Sequence, residues 1–215
     1  MKQIPILIVL GLALTLCNLT SKLKNAGNSN GSGTSPGSSS GTSSSSGSGG
    51  AEKAQPTAGQ TAALAGGQTV NWDKQGISWT VPANWTKNTD ETNSFGWSSP
   101  GGFDAAHLIV SISPMDENFP SETSLNTYYE SYKGRIKNGE LDELKWLELD
   151  GLKGVQFRES NPEKPDGFRR LQWLAYRKYA GQLQMVNLML STDGKDFARH
   201  QDAMYGILYS TKLAH

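Results

Sequence analysis

The chain has 215 residues, with 20 Lys and Arg set against 20 Asp and Glu, and a single cysteine, Cys17. That length allows one domain or two, and the lone cysteine excludes an internal disulfide framework. Balanced charge argues against the strongly basic surface that counterion release from nucleic acid demands, so nucleic acid is not expected as the main partner.

Lys2 precedes an apolar run from Ile4 to Leu16 that is thirteen residues long and ends at Cys17. A bilayer-spanning helix needs about twenty residues, so the run fits the apolar core of an export signal better than a membrane span. Leu14-Thr15-Leu16-Cys17 resembles the lipobox of bacterial lipoprotein signals, although Leu16 stands where that pattern has a small residue. The resemblance implies lipid attachment at Cys17, a membrane anchor, and a location in the bacterial cell envelope facing the periplasm or the cell exterior. Two or more acyl chains, at about 0.8 kcal/mol per buried methylene, hold stably.

Residues 18–67 are dominated by Ser, Gly, Thr and Asn, including Gly37-Ser38-Ser39-Ser40-Gly41 and Ser43-Ser44-Ser45-Ser46-Gly47. Such a stretch cannot bury a core and reads as a flexible tether with a span of roughly 40 Å. Ala58 to Leu64 has some helical propensity, but Gly59, Gly66 and Gly67 assign it to the same linker. The expected organisation is therefore leader 1–17, disordered linker 18–67 and one globular domain, 68–215. Setting aside Lys2, Lys22, Lys24, Lys53 and Glu52 leaves that domain sixteen bases against nineteen acids.

From Gly76 the pattern changes. Ile77, Trp79 and Val81 alternate with Ser78 and Thr80 until Pro82, which predicts a half-buried strand. Phe95 with Trp97, then Leu108, Val110 and Ile112, predict two more, bracketed by Gly and Pro. Leu125, Tyr128, Tyr129, Tyr132 and Ile136 fall on one helical stripe that Gly139 ends. Period two returns over Leu144 to Leu149, and Asp150-Gly151 predicts a type I′ turn into Val155 and Phe157. Asn161 to Gly167 reads as an exposed loop, Leu171 to Tyr176 and Leu183 to Leu190 as strands, and Phe197 to Leu208 as a closing helix. Three strands, a helix, four strands and a helix predict an α+β domain: a central antiparallel sheet flanked by helices.

The segment Gly76-Ile77-Ser78-Trp79-Thr80-Val81-Pro82-Ala83-Asn84-Trp85, the Asp150-Gly151 turn and the closing helix through Tyr209-Ser210 resemble the PsbP/Mog1-like superfamily, which includes DcrB-related bacterial lipoproteins and periplasmic proteins. The resemblance implies an α/β/α sandwich used for binding or assembly, with no catalytic residue shared across the group.

The chemistry-bearing residues are sparse. Asp104 and His107 lie three apart, a spacing that gives an alternative reading, an envelope hydrolase. No metal site is expected, because three histidines without thiols do not make one, and no cofactor is expected either. His200 reads as a packing residue. The Asp116/Glu117 and Asp142/Glu143 pairs are adjacent, so each is expected to split between two sides or to face solvent. Trp79, Trp97 and Trp173 are expected in the core, and Trp72, Trp85 and Trp146 at partly exposed positions. A partner surface is expected around Tyr128, Tyr129, Arg169, Arg170, Arg177 and Lys178, taking an envelope protein or a small ligand.

Overall fold

The computed structural model describes residues 50–164 and 166–214, which fall within one of the two units of the chain, Ser45–His215. Cys17, the leader and most of the linker lie outside the described residues.

In chain order the elements are β1 (Glu52–Lys53), α1 (Ala58–Ala63), β2 (Gln68–Trp72), β3 (Ile77–Val81), β4 (Thr86–Asp90), β5 (Ser94–Ser98) and β6 (His107–Pro114). There follow α2 (Ser121–Lys137), β7 (Leu141–Leu149), β8 (Leu152–Glu159), β9 (Phe168–Tyr179), β10 (Gln182–Asp193), α3 (Phe197–Tyr209) and β11 (Lys212–Leu213). An eight-stranded sheet runs β1-β7-β8-β9-β10-β6-β5-β4, and β11-β3-β2 form a separate three-stranded sheet. Every pairing is antiparallel except β1 with β7.

Alternation along the long strands sends one set of side chains to each face. Leu171, Trp173 and Ala175, with Val186, Leu188 and Leu190, meet α3 and the small sheet in the larger core. Phe95 from the large sheet is sandwiched between Trp72 and Trp79 of the small one, at centroid distances of 5.5 and 5.2 Å. On the opposite face Val155, Phe157 and Leu174 meet Leu125 of α2. Helices thus lie on both faces of the large sheet.

Trp72 and Trp85 are buried rather than partly exposed, and Trp97 is only half-buried. The reason is the small sheet: Val70 and Trp72 of β2 supply an apolar layer over β5, and Trp72 Nε1 donates to the Glu91 carbonyl at 2.8 Å. Strand β4 has no apolar residue and escapes period-two reading; a bulge between Lys87 and Thr89 and the Lys87–Asp90 pair mark it as a charged edge.

The expected linker is corrected at its C-terminal end. Glu52 and Lys53 pair in parallel with Leu147 and Glu148. Ala58–Ala63 is helical because Thr57 and Gln60 form a capping box, Thr57 Oγ1 accepting from Gln60 N and Gln60 Oε1 from Thr57 N. This short helix lies on α3 at Gly206, where a Cβ would come within 2.9 Å of the Gln60 carbonyl oxygen.

Asp150 and Gly151 have φ of 46° and 86°, as the expected hairpin turn requires. A second two-residue turn, Ala180-Gly181, joins Tyr179 to Gln182 with Ala180 at φ 48°.

Candidate functional site: a groove beside α2

Helix α2 presents Leu125, Tyr129 and Tyr132 to the sheet, as its stripe predicts. Tyr132 packs on Phe157 at 4.4 Å, and Tyr129 stacks on Trp146 of β7 at 4.6 Å with planes 18° apart. Ile136, at the end of the stripe, stays 37% exposed. The helix starts at Pro120, which fixes φ but supplies no capping side chain. Phe119, just before it, meets the Tyr176 ring at 5.4 Å, and Ser124 Oγ is 2.9 Å from Tyr176 Oη.

Between this first turn and the β7–β8 hairpin the layers do not close. They leave a groove of about 260 Å³ whose apolar lining comes from Leu125, Trp146, Leu152 and Tyr176. Glu122 and Lys153 add one charge of each sign. Lys153 Nζ rests 4.2 Å from the centroid of the Trp146 ring, so the indole carries Tyr129 and a cation as neighbours. Half-buried aromatic surface with a few polar groups at its edge is the usual composition of a ligand site.

The expected partner surface does not assemble as one patch. Tyr129 is committed to Trp146, while Tyr128 lies along the flank of α2 with Thr123, Thr127 and Ser131. Arg169 and Arg177 point to the larger core instead of solvent. Arg169 lies 4.2 Å from the Phe197 ring, donates to the Glu159 carbonyl and pairs with Asp142. Arg177 is buried; its Nη2 donates to the Gln75 carbonyl at 2.6 Å, and burial lowers its pKa. Arg170 and Lys178 face the α2 side, paired with Glu159 and Glu117. Eight residues of extended strand hold those two roughly 26 Å apart.

The Asp142/Glu143 pair departs from expectation. A bulge between Leu141 and Glu143 disrupts the alternation there. Both carboxylates reach Arg158, Asp142 Oδ1 at 2.6 Å and Glu143 Oε2 at 3.6 Å. Glu143 also accepts from Gln156 and from the Tyr205 hydroxyl, whose pKa burial and that carboxylate drive well upward. The network ties β7 and β8 to α3.

The residues of the hydrolase alternative take separate partners. His107 Nδ1 is 2.8 Å from Ser98 Oγ, which accepts from Asn88 Nδ2, and burial lowers the imidazole pKa. Asp104 pairs with Lys195 at 3.1 Å, and its backbone carbonyl lies 3.2 Å from His200 Nε2. Asp104, Asp193 and Asp196 bring carboxylate oxygens within 4.8 Å of one another, with Lys195 supplying the counter-charge.

No family model matches the chain, and no curated protein matches it in sequence. Among solved structures, LpqN from Mycobacterium tuberculosis aligns over 69% of this chain and 86% of its own, at 14% identity and a TM-score of 0.50. CyanoP, the cyanobacterial PsbP from Synechocystis, aligns over 68% and 92% at 12% identity with a TM-score of 0.44. The Ran-binding protein Mog1p from Saccharomyces cerevisiae does so over 68% and 95% at 9% identity with a TM-score of 0.38. The present chain covers only 46% of a longer structure from Bacteroides thetaiotaomicron. An eight-stranded sheet with helices on both faces and a second small sheet give this chain an α+β fold, which it shares with LpqN.

Proposed function

We propose that the protein is an exported, non-catalytic binding or assembly module of the bacterial cell envelope, held to the membrane by lipid on Cys17 and engaging its ligand or partner protein through the groove beside α2. The groove carries the reading: Trp146, Leu152 and Tyr176 keep apolar surface at an opening between the first turn of α2 and the β7–β8 hairpin. A concave apolar surface with a few polar groups at its edge is where small ligands usually bind. His107 and Asp104 are separately partnered, which favours binding over hydrolysis. The lipobox-like start supports the anchor. LpqN, a protein involved in cell envelope biogenesis, shares the fold and is in keeping with an envelope setting.

The anchor is tested by intact mass of the protein extracted from membranes: cleavage before Cys17 with added acyl mass is expected, and Cys17→Ala loses it. A species retaining Met1 in the cytosol overturns the export reading. The groove is tested in whole cells with a photo-crosslinking residue at Lys153 and at Lys137, outside the groove. A discrete adduct from position 153 alone is expected; equal adducts from both positions, or none from position 153, remove the groove from the proposal.

A further inference from the structure

A second cavity, of about 450 Å³, lies at the other end of α2, bounded by its last turn, the start of β7, the end of β8, residues 160–163 of the loop that follows it and the start of β9. Phe168 stands in its wall with 55% of its surface exposed, more than any other large apolar side chain among the described residues. Apart from Gly139 and Pro162, the rest of the lining is polar, with two arginines and three glutamates. Arg135 Nε donates to Glu140 Oε2 at 2.9 Å, and Arg170 Nη1 donates to the two Glu159 oxygens at 2.9 and 3.2 Å. Each guanidinium therefore keeps N–H groups, and each carboxylate lone pairs, beyond this pairing.

The loop is braced. Pro162 packs so closely on Gly167 and Gly194 that a Cβ on either would lie 2.8 or 2.5 Å from its ring, and Gly194 N donates to the Gly167 carbonyl at 2.8 Å. Asn161 beside it is exposed in the cavity wall. A wall held in place lowers the ordering cost of binding.

The chemistry selects among ligands. Three carboxylates, from Glu140, Glu159 and Glu163, share the cavity with two arginines, so the lining disfavours an anion. A purely apolar ligand would leave the ion pairs desolvated without new partners. A ring with an apolar C–H face and hydroxyls around its edge fits both parts: its face lies on Phe168, and neighbouring hydroxyls donate to carboxylate oxygens while accepting from guanidinium N–H groups. We propose that this cavity is a saccharide subsite that takes a short segment of a neutral oligosaccharide. It goes beyond the reading of the groove and uses none of the groove's residues.

The full chain is titrated calorimetrically with chitotriose, cellotriose and maltotriose, with circular dichroism confirming the fold of each variant. At least one trisaccharide is expected to bind. Phe168→Ala should weaken that binding about tenfold or more while Phe168→Trp keeps it, in line with the loss of an aromatic anchor. Arg170→Gln should weaken it less, and Trp146→Ala, in the groove, should leave it within about twofold. Binding of none of the three sugars overturns the proposal. So does a Phe168→Ala protein that binds as the parent does, including the case in which only Trp146→Ala loses the sugar and so reassigns it to the groove.

Discussion

Gly154 on β8 is the position where one added methyl group should cost the most. It pairs with Leu147 on one side and Ala175 on the other, and the Trp173 indole crosses directly over it to donate from Nε1 to the Leu147 carbonyl at 3.1 Å. A Cβ there would lie 2.5 Å from Trp173 Nε1, Trp173 Cε2 and the Leu174 carbonyl oxygen. Neither the paired backbone nor a fully buried indole can move aside cheaply. Overpacking of this kind costs about 1–3 kcal/mol. Lifting the indole off its acceptor leaves a buried N–H unsatisfied, for about 1–3 kcal/mol more. Loss of glycine's freedom in the unfolded chain offsets about 0.4–1 kcal/mol. Gly154→Ala should therefore destabilise by about 1–5 kcal/mol, read from urea unfolding monitored by tryptophan fluorescence. Trp173→Leu in the Gly154→Ala background should cost less than Trp173→Leu alone, because the clash is then gone. A Gly154→Ala protein within about 0.5 kcal/mol of the parent, or additive costs in the double variant, would refute the close-approach argument.

Other expectations follow from single features. Ala180 holds φ at 48°, so Ala180→Gly should stabilise by about 0.5–1 kcal/mol in the same unfolding assay. Tyr205→Phe removes a hydrogen bond to Glu143 in a half-buried network and should destabilise by about 1–2 kcal/mol, measured at neutral pH. Burial lowers the pKa of His107 against the opposing pull of Asp193, so the unfolded state binds the proton more tightly. That stabilising contribution is full above the ordinary histidine pKa of about 6.5 and is lost as pH falls through the lower folded value. Stability should therefore slope downward below about pH 6.5, and His107→Gln should flatten that part of the slope.

The long strands, both long helices and the Asp150-Gly151 turn were readable because each obeys a single period that burial then enforces. Leu171, Trp173 and Ala175 point one way along the whole of β9, and nothing competes with them. Strand β4 was not readable: Thr86 to Asp90 bury no apolar side chain and are held by pairing with β5 and by Lys74, which donates to the Asp90 carbonyl. Helix α1 carried its signal in Thr57 and Gln60, but the surrounding glycines outweighed a capping pair only three residues apart. Asp142 and Glu143 misled because adjacent strand residues diverge unless a bulge intervenes, and a bulge is a property of the partner strand as well. For the groove, Trp146 was expected at a partly exposed position, yet Leu152 and Lys153 come from β8 and Tyr176 from β9. Only the register of β7, β8 and β9 brings them together. Arg169 and Arg177 read as a basic flank because sequence does not show that Phe197 and Gln75 wait beneath them.

The arm made by β1 and α1 has a mechanical side. Two residues of edge pairing and one short helix seated on Gly206 join the chain's N-terminal portion to the body, while the core strands behind them are interlocked over their whole length. A pull applied from that direction would detach the arm first, paying out Glu52 to Gly67, about 55 Å of chain, before any load reached the tryptophan-rich interior. In a force-extension trace that yields a small low-force step ahead of the main rupture, and Gly206→Val, which crowds the seat of α1, should erase it.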